Sequence, residues 1–281
     1  MTELDIVWIF KKFKFWIKSI PWRKKFKGII IVIKYGGEVL SIDNDFRNLA
    51  RDVAFLSKRG VIVVLVHGGG PQLDSELEEK GVNFEKKEGM RIYTLKIRII
   101  AQEVFGEITN KIIAALAKKK VASQWIQPED IRVTRIKDLN FVGKVTSISK
   151  NLPLALLRGL VAIPSLFGKD EKGVLCNINA DDIAVSVAEE LEAERLILLS
   201  AVPGILDENG ELISHLDLQT ARDLINRDII KGGMIPKALH CLQSQKVEKI
   251  QVIDGRKPHS LLEELFSKKG TGTEIIREER E

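Results

Sequence analysis

The chain has 281 residues, 44% hydrophobic and 30% charged, with a formal net charge of +5. That length buries a full core and suits one large α/β domain or two tightly joined lobes. The charge is local: residues 1–28 carry eight Lys/Arg against Glu3 and Asp5 and the rest nets −1, which excludes a broad basic footprint for nucleic acid.

The basic arm is also aromatic. Ile6, Ile9, Phe10, Phe13, Trp16, Ile17 and Ile20 recur at helical spacing, and Pro21 ends the pattern. Such a stripe has to pack on the body, on another subunit or on a membrane surface. No later run reaches the roughly 18 apolar residues of a membrane span, and the acidic start does not read as a signal peptide.

The body alternates strand and helix. Ile29–Lys34 predicts a strand ending at Gly36-Gly37, and Phe46–Arg59 a helix. Val61–Val66 predicts a second strand, ending at His67-Gly68-Gly69-Gly70. Helices are expected over about 71–80 and 95–119, and a hairpin over 121–126 and 131–136. Further strands are expected at Leu160–Leu166, Leu196–Ser200 and Lys249–Ile253, with helices between and after them. Continuous apolar strands separated by amphipathic helices imply a mostly parallel sheet covered on both faces. A boundary near 176 divides the body into two lobes. Cys176 and Cys241 have no metal-ligand spacing, so reduced thiols of a cytoplasmic protein are expected and no protein-held metal.

In such sheets ligands bind at the carboxyl ends of the strands. Glycine there lets backbone approach a ligand, and unpaired amides at the following helix start donate to phosphate or carboxylate. Two Gly-rich turns after adjacent strands, one adjoining Lys34, outweigh the reading of each as a plain tight turn. GxxxxGK[ST], GxSxG and HExxH are absent from the sequence. His67 reads as a structural turn residue. Asp181, in Asn177-Ile178-Asn179-Ala180-Asp181, reads as a helix cap or a functional carboxylate. Lys237, after Pro236, reads as a surface or a phosphate-binding lysine.

Taken together, IKYGG at 33–37, HGGGPQ at 67–72, GMR at 89–91 with Asn110-Lys111, NINAD at 177–181, GGMIPK at 232–237, IDGR at 253–256 and GTGT at 270–273 resemble, in order and spacing, the amino acid kinase family. Within it they are most similar to the arginine-inhibited branch acting on N-acetyl-L-glutamate. The resemblance implies a three-layer α/β/α sandwich: an oligomerisation helix over 1–28, a substrate lobe over 29–176 and an ATP lobe over 177–281. It implies phosphorylation of the side-chain carboxylate of N-acetyl-L-glutamate in arginine biosynthesis, with ATP and Mg²⁺. Lys34 and Lys237 would flank the transferring phosphoryl group and Asp181 would orient both. Gly36, Gly37, Gly68, Ser200 and Gly204 would meet the phosphates. Gly69, Gly70, Arg91 and Asn177 would hold the substrate. Trp22, Gln251, Glu264 and Gly272 correspond to an arginine-binding site. The arm, with Ile20-Pro21-Trp22 and Phe26-Lys27-Gly28, resembles the helix that interlaces subunits, which implies a homo-oligomer, dimer or hexamer, and favours a protein interface over a membrane.

The chain departs from the family pattern at 121–136, which lacks the family's glycines, at Ile92-Tyr93-Thr94, at Ala201 in place of an acid, and at Gln251 in place of histidine. Other readings of the same fold are a kinase for another acylated or carrier-bound acidic amino acid, and a weakly catalytic regulator that binds arginine or nucleotide.

Overall fold

The structure, a computed structural model, describes residues 26–40, 43–87, 90–227, 229, 246–247, 249–267 and 270–275. The arm up to residue 25, Trp22 and Cys241 fall outside these residues, as does the GGMIPK motif with Lys237.

Fourteen strands and seven helices are seen among the described residues. In chain order they begin β1 (Ile30–Tyr35), α1 (Asp43–Ser57), β2 (Ile62–His67), α2 (Gly70–Glu79), β3 (Lys86–Lys87), β4 (Met90–Arg91) and α3 (Leu95–Lys118). There follow β5 (Ser123–Ile126), β6 (Ile131–Arg135), β7 (Gly143–Ile148), α4 (Asn151–Leu157), β8 (Val161–Pro164), β9 (Phe167–Lys169), β10 (Leu175–Asn177) and α5 (Ala180–Glu190). The chain continues through β11 (Arg195–Ser200), β12 (His215–Leu216), α6 (Leu218–Asn226), β13 (Lys249–Asp254), α7 (Ser260–Phe266) and β14 (Thr273–Ile275).

The main sheet has eight strands in the order β12-β14-β13-β11-β1-β2-β8-β5. From β13 to β5 every pairing is parallel, and among the described residues the one antiparallel step in this sheet joins β13 to β14. In β1, β2, β11 and β13 every residue after the first is buried. Successive strand residues point to opposite faces, so both faces are covered by helices. The mostly parallel, doubly covered sheet expected from the alternation is found, and with it the three-layer α/β/α sandwich that the resemblance implies. The sheet crosses the boundary near 176, because β1 pairs with β11 over Ile31↔Arg195 to Tyr35↔Leu199.

Helix starts follow local chemistry. Thr94 caps α3 by accepting from Ile97 N at 3.3 Å, and Asp217 caps α6 by accepting from Thr220 N at 2.7 Å. At α5 the cap is Asn179, whose Oδ1 accepts from Asp181 N at 2.9 Å. Asp181 is therefore not the cap; its carboxylate is left for other work.

The expected hairpin over 121–136 is not formed. β5 lies parallel to β8 at the edge of the main sheet, whereas β6 pairs antiparallel with β7 in a second sheet ordered β10-β9-β6-β7. A 3₁₀ turn at Pro128–Asp130 carries the chain from one sheet to the other. Pro128 brings no amide to extend a ladder. Asp130 anchors the turn by accepting from Gln127 N at 3.1 Å, Ser149 Oγ at 2.8 Å and Asn151 Nδ2 at 2.6 Å.

Candidate active site

The adjacency β11-β1-β2 brings three strand ends together, and an open cleft of about 370 Å³ lies beside the last two. Lys34 is the penultimate residue of β1. It is buried, and its Nζ lies 2.8 Å from Asp181 Oδ1 on the first turn of α5. Removing a lysine from water costs several kcal/mol unless a counter-charge meets it, so the pair fixes both groups.

The Gly-rich turns after β1 and β2 touch backbone to backbone. A Cβ on Gly37 would stand 2.8 Å from Gly69 N, and one on Gly68 would stand 2.5 Å from Gly37 N. Gly36 N donates to Leu199 O at 2.9 Å and Gly68 N donates to Tyr35 O at 2.7 Å. Those two amides are committed to the sheet, and what Gly36 and Gly68 offer a ligand is the lack of a side chain. At the start of α2 the amides of Gly69, Gly70 and Gln72 have no intrahelical acceptor, and Pro71 has no amide to satisfy. Gln72 Nε2 donates to Gly37 O at 2.8 Å and holds the turns together.

His67 is fully buried between Gly68 O and Thr109 Oγ1, each at 2.8 Å, and burial lowers its imidazole to about 4. It is neutral at pH 7 and structural, as its place beside the glycines suggested.

Arg91, on β4, ion-pairs with Asp74 of α2 and has Phe84 and Tyr93 against its guanidinium. Burial pushes the Tyr93 phenol up to about 12, so it remains protonated at neutral pH. Asn177 closes β10; its Nδ2 donates to Leu166 O at 3.0 Å.

The cleft thus collects Lys34, Gly36, Gly37, Gly68, Gly69, Gly70, Arg91, Asn177 and Asp181. Ser200 and Gly204 do not line it. Ser200 is buried at the end of β11, and a Cβ on Gly204 would lie 2.7 Å from Thr273 Oγ1. None of residues 121–136 reaches the cleft; Val142, Leu166 and Phe105 supply its apolar wall. Asn179, within the stretch Asn177–Asp181, also lines it, as do Glu38, Asp74 and Lys86, which were not picked out from the sequence. Asp74 was findable: it lies one helical turn beyond Gly70, on the face that meets the turn.

Of the residues matched to an arginine site, three share one buried network. Glu264 accepts from Gln251 Nε2, Thr271 N, Thr271 Oγ1 and Gly272 N, and Gln251 Oε1 accepts from Arg195 Nη1 at 2.9 Å. The chain's own donors therefore occupy the Glu264 carboxylate.

A family model described as the amino acid kinase family matches residues 30–253. The chain belongs to the amino acid kinase family. Among relatives, it is 35% identical to an acetylglutamate kinase of Synechococcus sp. (strain JA-2-3B'a(2-13)), over 92% of this chain and 87% of that one. It is 37% identical to an acetylglutamate kinase of Lawsonia intracellularis, over 93% and 95% respectively. Among solved structures, N-acetylglutamate synthase from Neisseria gonorrhoeae, complexed with coenzyme A and N-acetyl-glutamate, superposes with a TM-score of 0.87 at 24% identity. That match covers 95% of this chain but only 64% of the synthase. Carbamate kinase from Giardia lamblia bound to AMP-PNP gives a TM-score of 0.67 at 15% identity, over 89% and 99%. These two structural likenesses carry the family's fold and no more.

Proposed function

We propose that this chain is an ATP-dependent kinase that phosphorylates the side-chain carboxylate of N-acetyl-L-glutamate, the reaction its acetylglutamate kinase relatives are named for, in arginine biosynthesis. The observation that carries the reading is the buried Lys34–Asp181 pair set beside two interlocked Gly turns in a cleft that also holds Arg91.

A carboxylate is already ionised at pH 7, so its attack on phosphorus needs no general base. The work left to the protein is alignment and charge stabilisation. Lys34 stands where negative charge develops, and Asp181 holds its ammonium at one position. The amides of Gly69 and Gly70 at the α2 start point positive dipole at the same region. Arg91 takes the α-carboxylate through parallel hydrogen bonds and leaves the other carboxylate free to react. Lys237 would join Lys34 on the far side of the phosphoryl group. ATP supplies that group, and Mg²⁺ bound with it offsets phosphate charge. Among the described residues no cluster of three or more metal-ligating side chains is assembled, so the ion would be held through the nucleotide.

In this reading residues 29–176 take the acyl amino acid and residues 177–281 the nucleotide. Residues 1–28 join copies of the chain into a homo-oligomer in the cytoplasm. No helix among the described residues is long and apolar enough to cross a membrane. The test is a panel assay: purified protein, Mg-ATP and N-acetyl-L-glutamate or other acylated acidic amino acids, with hydroxylamine as trap. Acyl hydroxamate from N-acetyl-L-glutamate above all others is expected. ATP binding with no hydroxamate from any of them would contradict the reading.

A further inference from the structure

The hairpin of β3 and β4 places Lys86 directly opposite Arg91, and both side chains reach one carboxylate. Asp74, from α2, pairs with Arg91 through one oxygen, and its other oxygen lies 3.5 Å from Lys86 Nζ. The three are unequally exposed. Arg91 keeps 8% of its side chain accessible, against 30% for Asp74 and 48% for Lys86. The Arg91 guanidinium carbon lies 4.7 Å from the centroid of Phe84 and 5.9 Å from that of Tyr93, so two rings hold it in place. Its Nε is buried and has no hydrogen-bond partner among the described residues. The pairing with Asp74 thus leaves donor capacity on Arg91 unused, although an arginine can serve a carboxylate with two parallel bonds.

We propose that Asp74 is a resident counter-ion that holds Arg91 until a substrate carboxylate takes its place, with Lys86 keeping Asp74 neutralised after the exchange. Three features support this. A buried guanidinium without an anion is costly, so a carboxylate from the chain stabilises the cleft before substrate arrives. Asp74 sits at the wetter edge and can move, whereas Arg91 is fixed by the rings. The Asp74–Lys86 distance of 3.5 Å is already that of an ion pair, so the exchange needs no large motion. The group Asp74, Lys86 and Arg91 carries one net positive charge. One substrate carboxylate balances that charge. The cost of the device falls on substrate affinity, because Asp74 competes for the cation that the substrate needs.

The proposal rests on the kinase reading for the identity of the ligand, and its test separates the two. Steady-state kinetics with Mg-ATP and varied N-acetyl-L-glutamate are measured on the full chain, on Asp74→Asn, on Lys86→Met and on the double variant. Asp74→Asn is expected to lower KM at least about threefold, with the change confined to KM. Lys86→Met is expected to raise KM, and the double variant to return to the Asp74→Asn value, since Lys86 acts only through Asp74. A KM that rises or stays put in Asp74→Asn overturns the exchange, because Asp74 then merely orients Arg91 or does nothing. Additive effects in the double variant also overturn it. Calorimetric titration with N-acetyl-L-glutamate and with glutarate covers the case of no turnover. Tighter binding to Asp74→Asn than to the unaltered chain then upholds the exchange while the kinase reading falls. Equal, weaker or absent binding to both proteins sinks the exchange too.

Discussion

Lys34 and Asp181 show what one buried ion pair can decide. In the proposed mechanism, replacing Lys34 by Met removes a charge from the place where negative charge develops, and losing one such stabilising group typically costs on the order of 10²–10³ in rate. Asp181→Asn keeps the lysine but strips its counter-charge, so a comparable loss in kcat is expected, with a lower melting temperature because Lys34 is then buried alone. Comparing kcat and melting temperature in the two variants checks this; an Asp181→Asn protein with full kcat would refute the role. His67 makes a different prediction, on pH. Its folded pKa of about 4 lies below the ordinary 6.5, so the unfolded chain binds the proton first on acidification. Stability should fall as pH drops through about 6.5 and level off near about 4, with a slope of up to about 1.4 kcal/mol per pH unit from this residue. In His67→Gln the denaturant midpoint should lose that component of its slope. Lys34 was legible because it stands just before a Gly pair at a strand end, and Asp181 because it closes the alternating polar stretch Asn177–Asp181 at a helix start. Asp74 could have been found by helical spacing from Gly70, but Lys86 could not, because nothing in a local window says that a hairpin will face the start of that helix.

At the scale of elements, the two Gly turns work by contact as much as by donation. A methyl on Gly68 would meet the backbone of Gly37 at 2.5 Å, whereas one on Gly70 would meet nothing within 4 Å. Gly68→Ala is therefore expected to destabilise by about 1–3 kcal/mol and to open the cleft. Gly70→Ala is expected to keep or slightly raise the melting temperature, since Ala outranks Gly in a helix by up to about 1 kcal/mol. It would nonetheless raise the KM for N-acetyl-L-glutamate several-fold, roughly the effect of losing one good contact. Thermal scans and kinetics on the pair would expose an error if both variants behaved alike. The strands and helices that frame these turns were legible from continuous apolar runs and their caps. The segment 121–136 was misread because two alternating runs at hairpin distance carry no mark of which sheet each will join; Pro128 and the anchored Asp130 decide that.

Across the whole molecule, the main sheet and one hydrophobic core run from Phe26 to Ile275 without a break at residue 176. The division of labour proposed for residues 29–176 and 177–281 would thus be laid over a shared core. A smaller cluster of Ile205, Leu216, Ala221 and Leu224 stands apart from it. One cooperative urea transition is expected for the body, with amides over 205–224 exchanging hydrogen earlier than those of β1, β2 and β11. Two separated transitions divided near residue 176 would contradict the shared core. Fold class was open to sequence reasoning because parallel strands announce themselves by apolar runs; the unbroken core was not, because strand order is set by crossovers between residues far apart in the chain. The central claim is that this cleft transfers a phosphoryl group to a carboxylate. Phosphorus NMR of the protein with Mg-ATP and N-acetyl-L-glutamate tests it most directly. An acyl phosphate resonance that grows as ATP is consumed, and is lost in Lys34→Met, is the result expected. ATP consumed equally by both proteins, with only inorganic phosphate formed, would contradict it.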